Sequence, residues 1–167
     1  MTNSDPYRFK NHTLIPPSIL TVVTTILRSW DNPLTDYAYV TMFHPHGTLD
    51  VHTTPATGHD EIHALHAQMI DPVNGPVVRV QHHFEDLFLR PGELEGGPVE
   101  AVFNGVLVTV LKNGVEVETG FASLVKMSPS KEDGDGDGEL RADYLRAYID
   151  RSRVVEEIGK MLSSGKE

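Results

Sequence analysis

The chain has 167 residues, 39% of them apolar and 23% charged, and it contains no cysteine. That length fits one domain able to bury a sizeable core, and the missing thiols exclude disulfide scaffolds, thiol catalysis and cysteine zinc sites. Fourteen basic against 24 acidic residues leave a net charge of −10, which argues against a nucleic-acid backbone or an anionic membrane as partner. Nine histidines beside a single tryptophan are the compositional outlier.

Residues 1–15 read as a flexible N-terminal arm. The start is polar and mixed in charge, and the apolar stretch 14–27 is broken by prolines and threonines, so neither an export signal nor a membrane span is expected, and the expected location is cytoplasmic. Pro16-Pro17-Ser18 offers a helix start. Ile19, Val22, Val23, Ile26, Leu27 and Trp30 then recur at helical spacing as one apolar face, until Asp31-Asn32-Pro33 ends the helix. A second short helix is expected over 35–43, followed by a turn at His44-Pro45-His46-Gly47. Residues 48–54 alternate, with Leu49 and Val51 inward and Asp50 and His52 outward, as in a half-buried strand. After a loop at 55–58, a third helix is expected over 59–69, broken by Asp71-Pro72-Val73-Asn74-Gly75-Pro76.

Three long strands are expected next. Residues 77–90 place Val78, Val80, His82, Phe84, Asp86 and Phe88 on one face. Residues 99–112 are almost continuously apolar, as in a central strand. Asn113-Gly114 is a strong hairpin signal, and 115–127 return with Val117, Thr119, Phe121, Ser123, Val125 and Met127 on one face. A polar, acidic Gly/Asp-rich loop is expected over 128–138. The pattern of 139–150 suits helix or strand equally, and 151–162 close as an amphipathic helix ahead of a tail at 163–167. The whole predicts an α+β domain over 16–162: a curved antiparallel sheet wrapped around N-terminal helices, a cone with a central pocket.

Trp30-Asp31, the segment Pro55-Ala56-Thr57-Gly58-His59-Asp60-Glu61-Ile62, Gln81-His82-His83-Phe84 and Leu145-Arg146-Ala147-Tyr148-Ile149-Asp150 come in the order and spacing of a known group. Over roughly 16–160 the chain resembles the nuclear-transport-factor-2-like superfamily, which includes ketosteroid isomerase, scytalone dehydratase, limonene-epoxide hydrolase and the SnoaL-like polyketide cyclases. The resemblance implies that 139–150 are the final strand, with Tyr148 and Asp150 facing the cone. It does not fix a function, since the group holds isomerases, dehydratases, hydrolases, cyclases and binders.

His82 is the leading chemical candidate, because it interrupts an apolar strand face. The resemblance implies an acid–base role for it, against the plain reading of a hydrogen-bonded core histidine. Asp150 matches a catalytic aspartate of limonene-epoxide hydrolase, but it is equally placed to cap the closing helix. Asp31 matches a helix-end aspartate of scytalone dehydratase, with Trp30 in place of a tyrosine; turn chemistry at Asp31-Asn32-Pro33 is the stronger of its two readings. Trp30, Leu49, Val51, Phe84 and Asp86 are expected to line the pocket, with Tyr37 and Tyr148 as hydrogen-bond donors or plain packing.

The departures are specific. No base stands on the inward face of the first strand, and no histidine lies in 99–112. His44, His46, His52, His59, His63 and His66 have ordinary surface or turn explanations, so neither a metal nor another cofactor is expected. Asp133–Gly138 resembles half of an EF-hand loop but puts Tyr144 where a glutamate is required.

The sequence thus points to a cofactor-independent isomerase, dehydratase or cyclase acting by acid–base chemistry on a mostly apolar small molecule, such as a polyketide or terpenoid-like intermediate. The alternative is a non-catalytic binding or dimerisation module. The apolar outward residues Val102, Val106, Val108 and Val110 predict a homodimer through the open sheet face.

Overall fold

The computed structural model describes residues 5–32, 37–51, 54–90, 98–130 and 138–164. His52, the acidic stretch 131–137 and the tail beyond Ser164 lie outside the described residues. The elements are α1 (Pro17–Asp31), α2 (Ala38–Thr41), β1 (Phe43–Asp50), β2 (Ala56–Thr57), α3 (His59–Met69), β3 (Val77–Leu89), β4 (Val99–Leu111), β5 (Glu116–Pro129), β6 (Leu140–Ile149) and α4 (Ser152–Ser164).

Helix α1 starts with Pro17 in its first turn and buries Ile19, Val22, Val23, Ile26, Leu27 and Trp30, the face its spacing predicts. It packs against both β3 and β6, although β4 and β5 lie between those strands in the sheet. The sheet therefore curls around the helix. Its order is β2-β1-β6-β5-β4-β3, an open six-stranded α+β arrangement.

Two features differ from the expected antiparallel sheet. β1 runs parallel to β6, so the sheet is mixed. The expected turn at His44–Gly47 lies inside β1 as an irregularity of that pairing, between Phe43↔Ala142 and Thr48↔Tyr144. Proline can donate no ladder bond there, and a Cβ on Gly47 would sit 2.8 Å from the Ala142 carbonyl oxygen. A two-residue strand, β2, replaces part of the expected loop at 55–58 and pairs with Thr48 and Leu49.

The β4–β5 hairpin forms around Asn113-Gly114, where Gly114 takes φ +85°, a backbone conformation glycine adopts without strain. β5 runs on to Pro129, beyond the expected start of the acidic loop. β6 is a strand, as the resemblance implies.

The arm is not loose over its described part. Phe9 is fully buried and stacks on Phe84 with centroids 4.3 Å apart. The Phe84 N–H donates to the Pro6 carbonyl (2.8 Å) and the Lys10 N–H to the Glu85 carbonyl (2.7 Å). β3 is an edge strand, and an edge exposes a row of unpaired amides and carbonyls; residues 6–11 cover part of that row. None of the described helices is long and apolar enough to cross a membrane.

Candidate functional site

β3, β4, β5 and β6 turn one face toward α1, and α4 folds over the end of the space between them. The result is a cavity of about 340 Å³, lined by Trp30, Leu49, Val51, His82, Leu145 and Val155 among others. That volume lies near the low end of the roughly 300–1,000 Å³ of small-molecule sites.

His82 reaches this cavity because β3 alternates Val80, His82 and Phe84 inward before its register breaks. Asp31 reaches the same point from the last residue of α1. The His82 Nδ1–H donates to Asp31 Oδ1 at 2.7 Å. Asp31 Oδ2 accepts the His82 backbone N–H at 2.6 Å and the Tyr7 hydroxyl at 2.9 Å. The two side chains are only 10% and 3% exposed. A carboxylate accepts and does not donate, so the proton of the neutral imidazole sits on Nδ1 and the lone pair on Nε2. Nε2 has no hydrogen-bond partner among the described residues, and the ring lies edge-on to Phe121 with centroids 5.1 Å apart.

Of the two readings of Asp31, turn chemistry is thus not what its side chain does. It holds the imidazole and caps an edge amide of β3. Tyr7, from the supposed arm, completes the set. Burial, and then the neighbouring Asp31 charge, pushes the Tyr7 phenol well above its ordinary value, so its hydroxyl stays a donor.

The rest of the wall is apolar apart from a few groups. Thr109, Thr119 and Ser123 line it from β4 and β5, and the Thr119 hydroxyl oxygen is buried with no hydrogen-bond partner. Arg151 lines it from the junction of β6 and α4 and donates to the Val51 carbonyl at 3.2 Å. Burial lowers its proton affinity, although a guanidinium remains charged.

Trp30, Leu49 and Val51 line the cavity as expected. Tyr148 and Asp150 do not face it. Leu145, Ala147 and Ile149 pair with Val125, Ser123 and Phe121, all inward on β5, so Arg146, Tyr148 and Asp150 point to the opposite face. Tyr148 is 51% exposed, with Arg146 over its ring. Asp150 accepts the Ser152 N–H at the head of α4 (2.9 Å), and this bond holds its carboxyl below the usual range. Its capping reading is the one the geometry favours.

Phe84 packs in the core against Phe9 and Phe103, away from the cavity wall. A register shift between Phe84 and Leu87 inverts the remainder of β3. Leu87 becomes buried, Phe88 becomes 60% exposed, and Asp86 is absent from the cavity lining, its N–H bonded to Asn104. A bulge reverses the facing of every later residue. Tyr37 is exposed and sits against His63 outside the cavity.

Sequence reasoning missed Tyr7, Arg151 and the buried state of His66. His66 lies edge-on to Trp30 and tilted against Tyr39 and donates from Nε2 to the Trp30 carbonyl (2.9 Å), and burial lowers its pKa. The alternation Tyr7-x-Phe9 was a readable signal for the arm. His44 bonds Ser128, and His59 bonds the Phe43 carbonyl. No three His, Asp or Glu side chains converge as a metal cradle among the described residues.

No protein-family model and no curated protein sequence matches the chain. Solved structures do. ActVI-ORFA from Streptomyces coelicolor superposes with a TM-score of 0.62 at 14% identity, covering 80% of this chain and 96% of its own. The hexachlorocyclohexane dehydrochlorinase LinA-type3 from Novosphingobium barchaimii gives 0.64 at 10% identity, covering 80% and 84%. An NTF2-like protein of unknown function from Burkholderia pseudomallei gives 0.59 at 14% identity, covering 86% and 98%.

Proposed function

The chain has the fold of the NTF2-like superfamily, and from that premise we propose that it is an enzyme in which His82 is the general base acting on a small, mostly apolar substrate. One observation carries this reading: an imidazole fixed by a buried carboxylate presents an Nε2 with no partner among the described residues at the wall of a largely apolar cavity. Nε2 takes a proton from carbon or hydroxyl, and Asp31 stabilises the imidazolium that forms. The proton then returns at another atom for isomerisation, or departs with a leaving group for elimination or dehydration, or follows ring closure. A positioned base contributes roughly 10²–10⁴-fold. The dehydrochlorinase among the structural neighbours is named for an elimination, a reaction that one base suffices to start.

The test is turnover followed by NMR over a panel of β-hydroxy ketones, β,γ-unsaturated ketones and chlorinated cyclohexanes. Wild-type protein converts at least one class, and His82→Gln loses at least a hundredfold. A folded His82→Gln protein with the full rate overturns the assignment.

We further propose a homodimer through the outer sheet face, where Val102 and Phe88 are 45% and 60% exposed. Sedimentation as a monomer at micromolar concentration contradicts it.

A further inference from the structure

The cavity contains a cation that the acid–base reading does not use. Arg151 is half-buried at the point where β6 hands over to α4, between the end of β1 and the first turn of the helix. Of its five N–H donors, one is spent on the Val51 carbonyl. No carboxylate pairs with it among the described residues, and burial alone accounts for its perturbation, with no charged neighbour contributing. The surface cations Lys10, Arg28, Arg90 and Lys160 find carboxylates, and Lys112, which like Arg151 donates to a backbone carbonyl, is exposed to water where Arg151 is half-buried. A charge withdrawn from water without a counter-ion is costly. Among the described residues that line the cavity none is an aspartate or glutamate, and the α4 side chains there, Val154, Val155 and Ile158, carry no acceptor.

We propose that Arg151 is the specificity residue of this site and that the substrate is an apolar molecule carrying a carboxylate. The guanidinium fork takes two carboxylate oxygens in parallel, a geometry that a ketone or alcohol cannot match. The hydrocarbon body of the substrate then lies across the apolar wall toward His82, which fixes the end of the molecule that meets the base. The proposal deepens the reading of the preceding section by naming its substrate class, but its test requires binding only.

Trp30 is the single tryptophan and lines the cavity, so its fluorescence reports occupancy directly. The probes are ω-phenylalkanoates with two to five chain carbons and their matching amides, which are equal in size and uncharged. The carboxylates are expected to bind at least tenfold tighter than the amides. Arg151→Met abolishes that preference while amide affinity stays within twofold, and Arg151→Lys retains part of it. His82→Gln keeps the preference, so failure of the catalytic assignment and failure of this one are separable. Circular dichroism establishes that each variant is folded. The proposal is overturned when no carboxylate of the series binds, when amides bind as tightly as carboxylates, or when the preference survives in Arg151→Met. If Arg151→Met fails to fold, Arg151→Lys decides: an unchanged amide-to-carboxylate ratio overturns the assignment, and a reduced ratio supports it.

Discussion

Asp31→Asn is the most informative single change, because the structure dictates how the replacement must rearrange. Asp31 Oδ2 faces two donors, the His82 N–H at 2.6 Å and the Tyr7 hydroxyl at 2.9 Å. The asparagine oxygen must take that side. Its amide NH₂ then occupies the place of Oδ1, opposite His82 Nδ1 at 2.7 Å. Two donors cannot share that contact, so Nδ1 must become an acceptor and the imidazole proton must move to Nε2. The variant keeps its hydrogen-bond count but reverses the tautomer, and Nε2 no longer has a lone pair for a substrate proton. Each bond to a charged group exceeds a neutral one by roughly 0.5–1.5 kcal/mol. Three bonds lose that difference, and relief from burying a charge returns part of it. The net expectation is about 1–3 kcal/mol, or roughly 2–12 °C in Tm for a chain of this size. Long-range ¹H–¹⁵N correlation of the imidazole at alkaline pH reads the tautomer directly, and catalysis falls by about 10²–10⁴. An Asp31→Asn protein whose His82 still carries its proton on Nδ1 refutes the reasoning.

Tyr7→Phe removes one donor to Asp31 and costs up to roughly 1.5–3 kcal/mol near neutral pH. The raised Tyr7 phenol also ties stability to alkaline pH. Above its ordinary value of 10.0, the unfolded chain releases this proton while the folded chain retains it, so stability is full below pH 10 and declines as pH rises beyond it. Urea titrations from pH 8 to 11 should show a shallower decline for Tyr7→Phe; Tyr39 and Tyr144, also raised by burial, supply the remainder. Parallel wild-type and variant profiles would count against this. Gly105→Ala would place a Cβ against the His83 carbonyl oxygen and 2.9 Å from the Phe121 ring. The β3–β4 pairing beside His82 must then open, with a loss at or beyond the top of the roughly 1–3 kcal/mol range for overpacking. A variant with wild-type stability in the same titration would show the site to be looser than this.

Much of the site was legible where one element's own period decided it. The face of α1, the inward setting of His82 and the wall residues Leu49, Val51 and Trp30 follow from spacing alone. Tyr148 and Asp150 show the opposite lesson. The apolar alternation Leu145, Ala147, Ile149 gives the correct phase of β6, and only the analogy with a related group turned the polar set inward. Phe84, Asp86 and Phe88 failed for another reason: a bulge changes the phase within a strand, and nothing in Phe84-Glu85-Asp86-Leu87 announces it.

The sequence by itself determined the helices α1, α3 and α4 and the long strands β3 to β5, the apolar face of α1, and the inward setting of His82. Local periodicity and turn chemistry are written in neighbouring residues, so one chain suffices to read them. Tertiary structure alone decided that β1 lies parallel to β6, that Tyr7 and Asp31 meet His82, and that Arg151 shares its cavity with no carboxylate beside it among the described residues. Tyr7, Asp31, His82 and Arg151 lie 24, 51 and 69 residues apart along the chain. Only the curl of the sheet around α1 brings them together, and burial there gives each contact its strength.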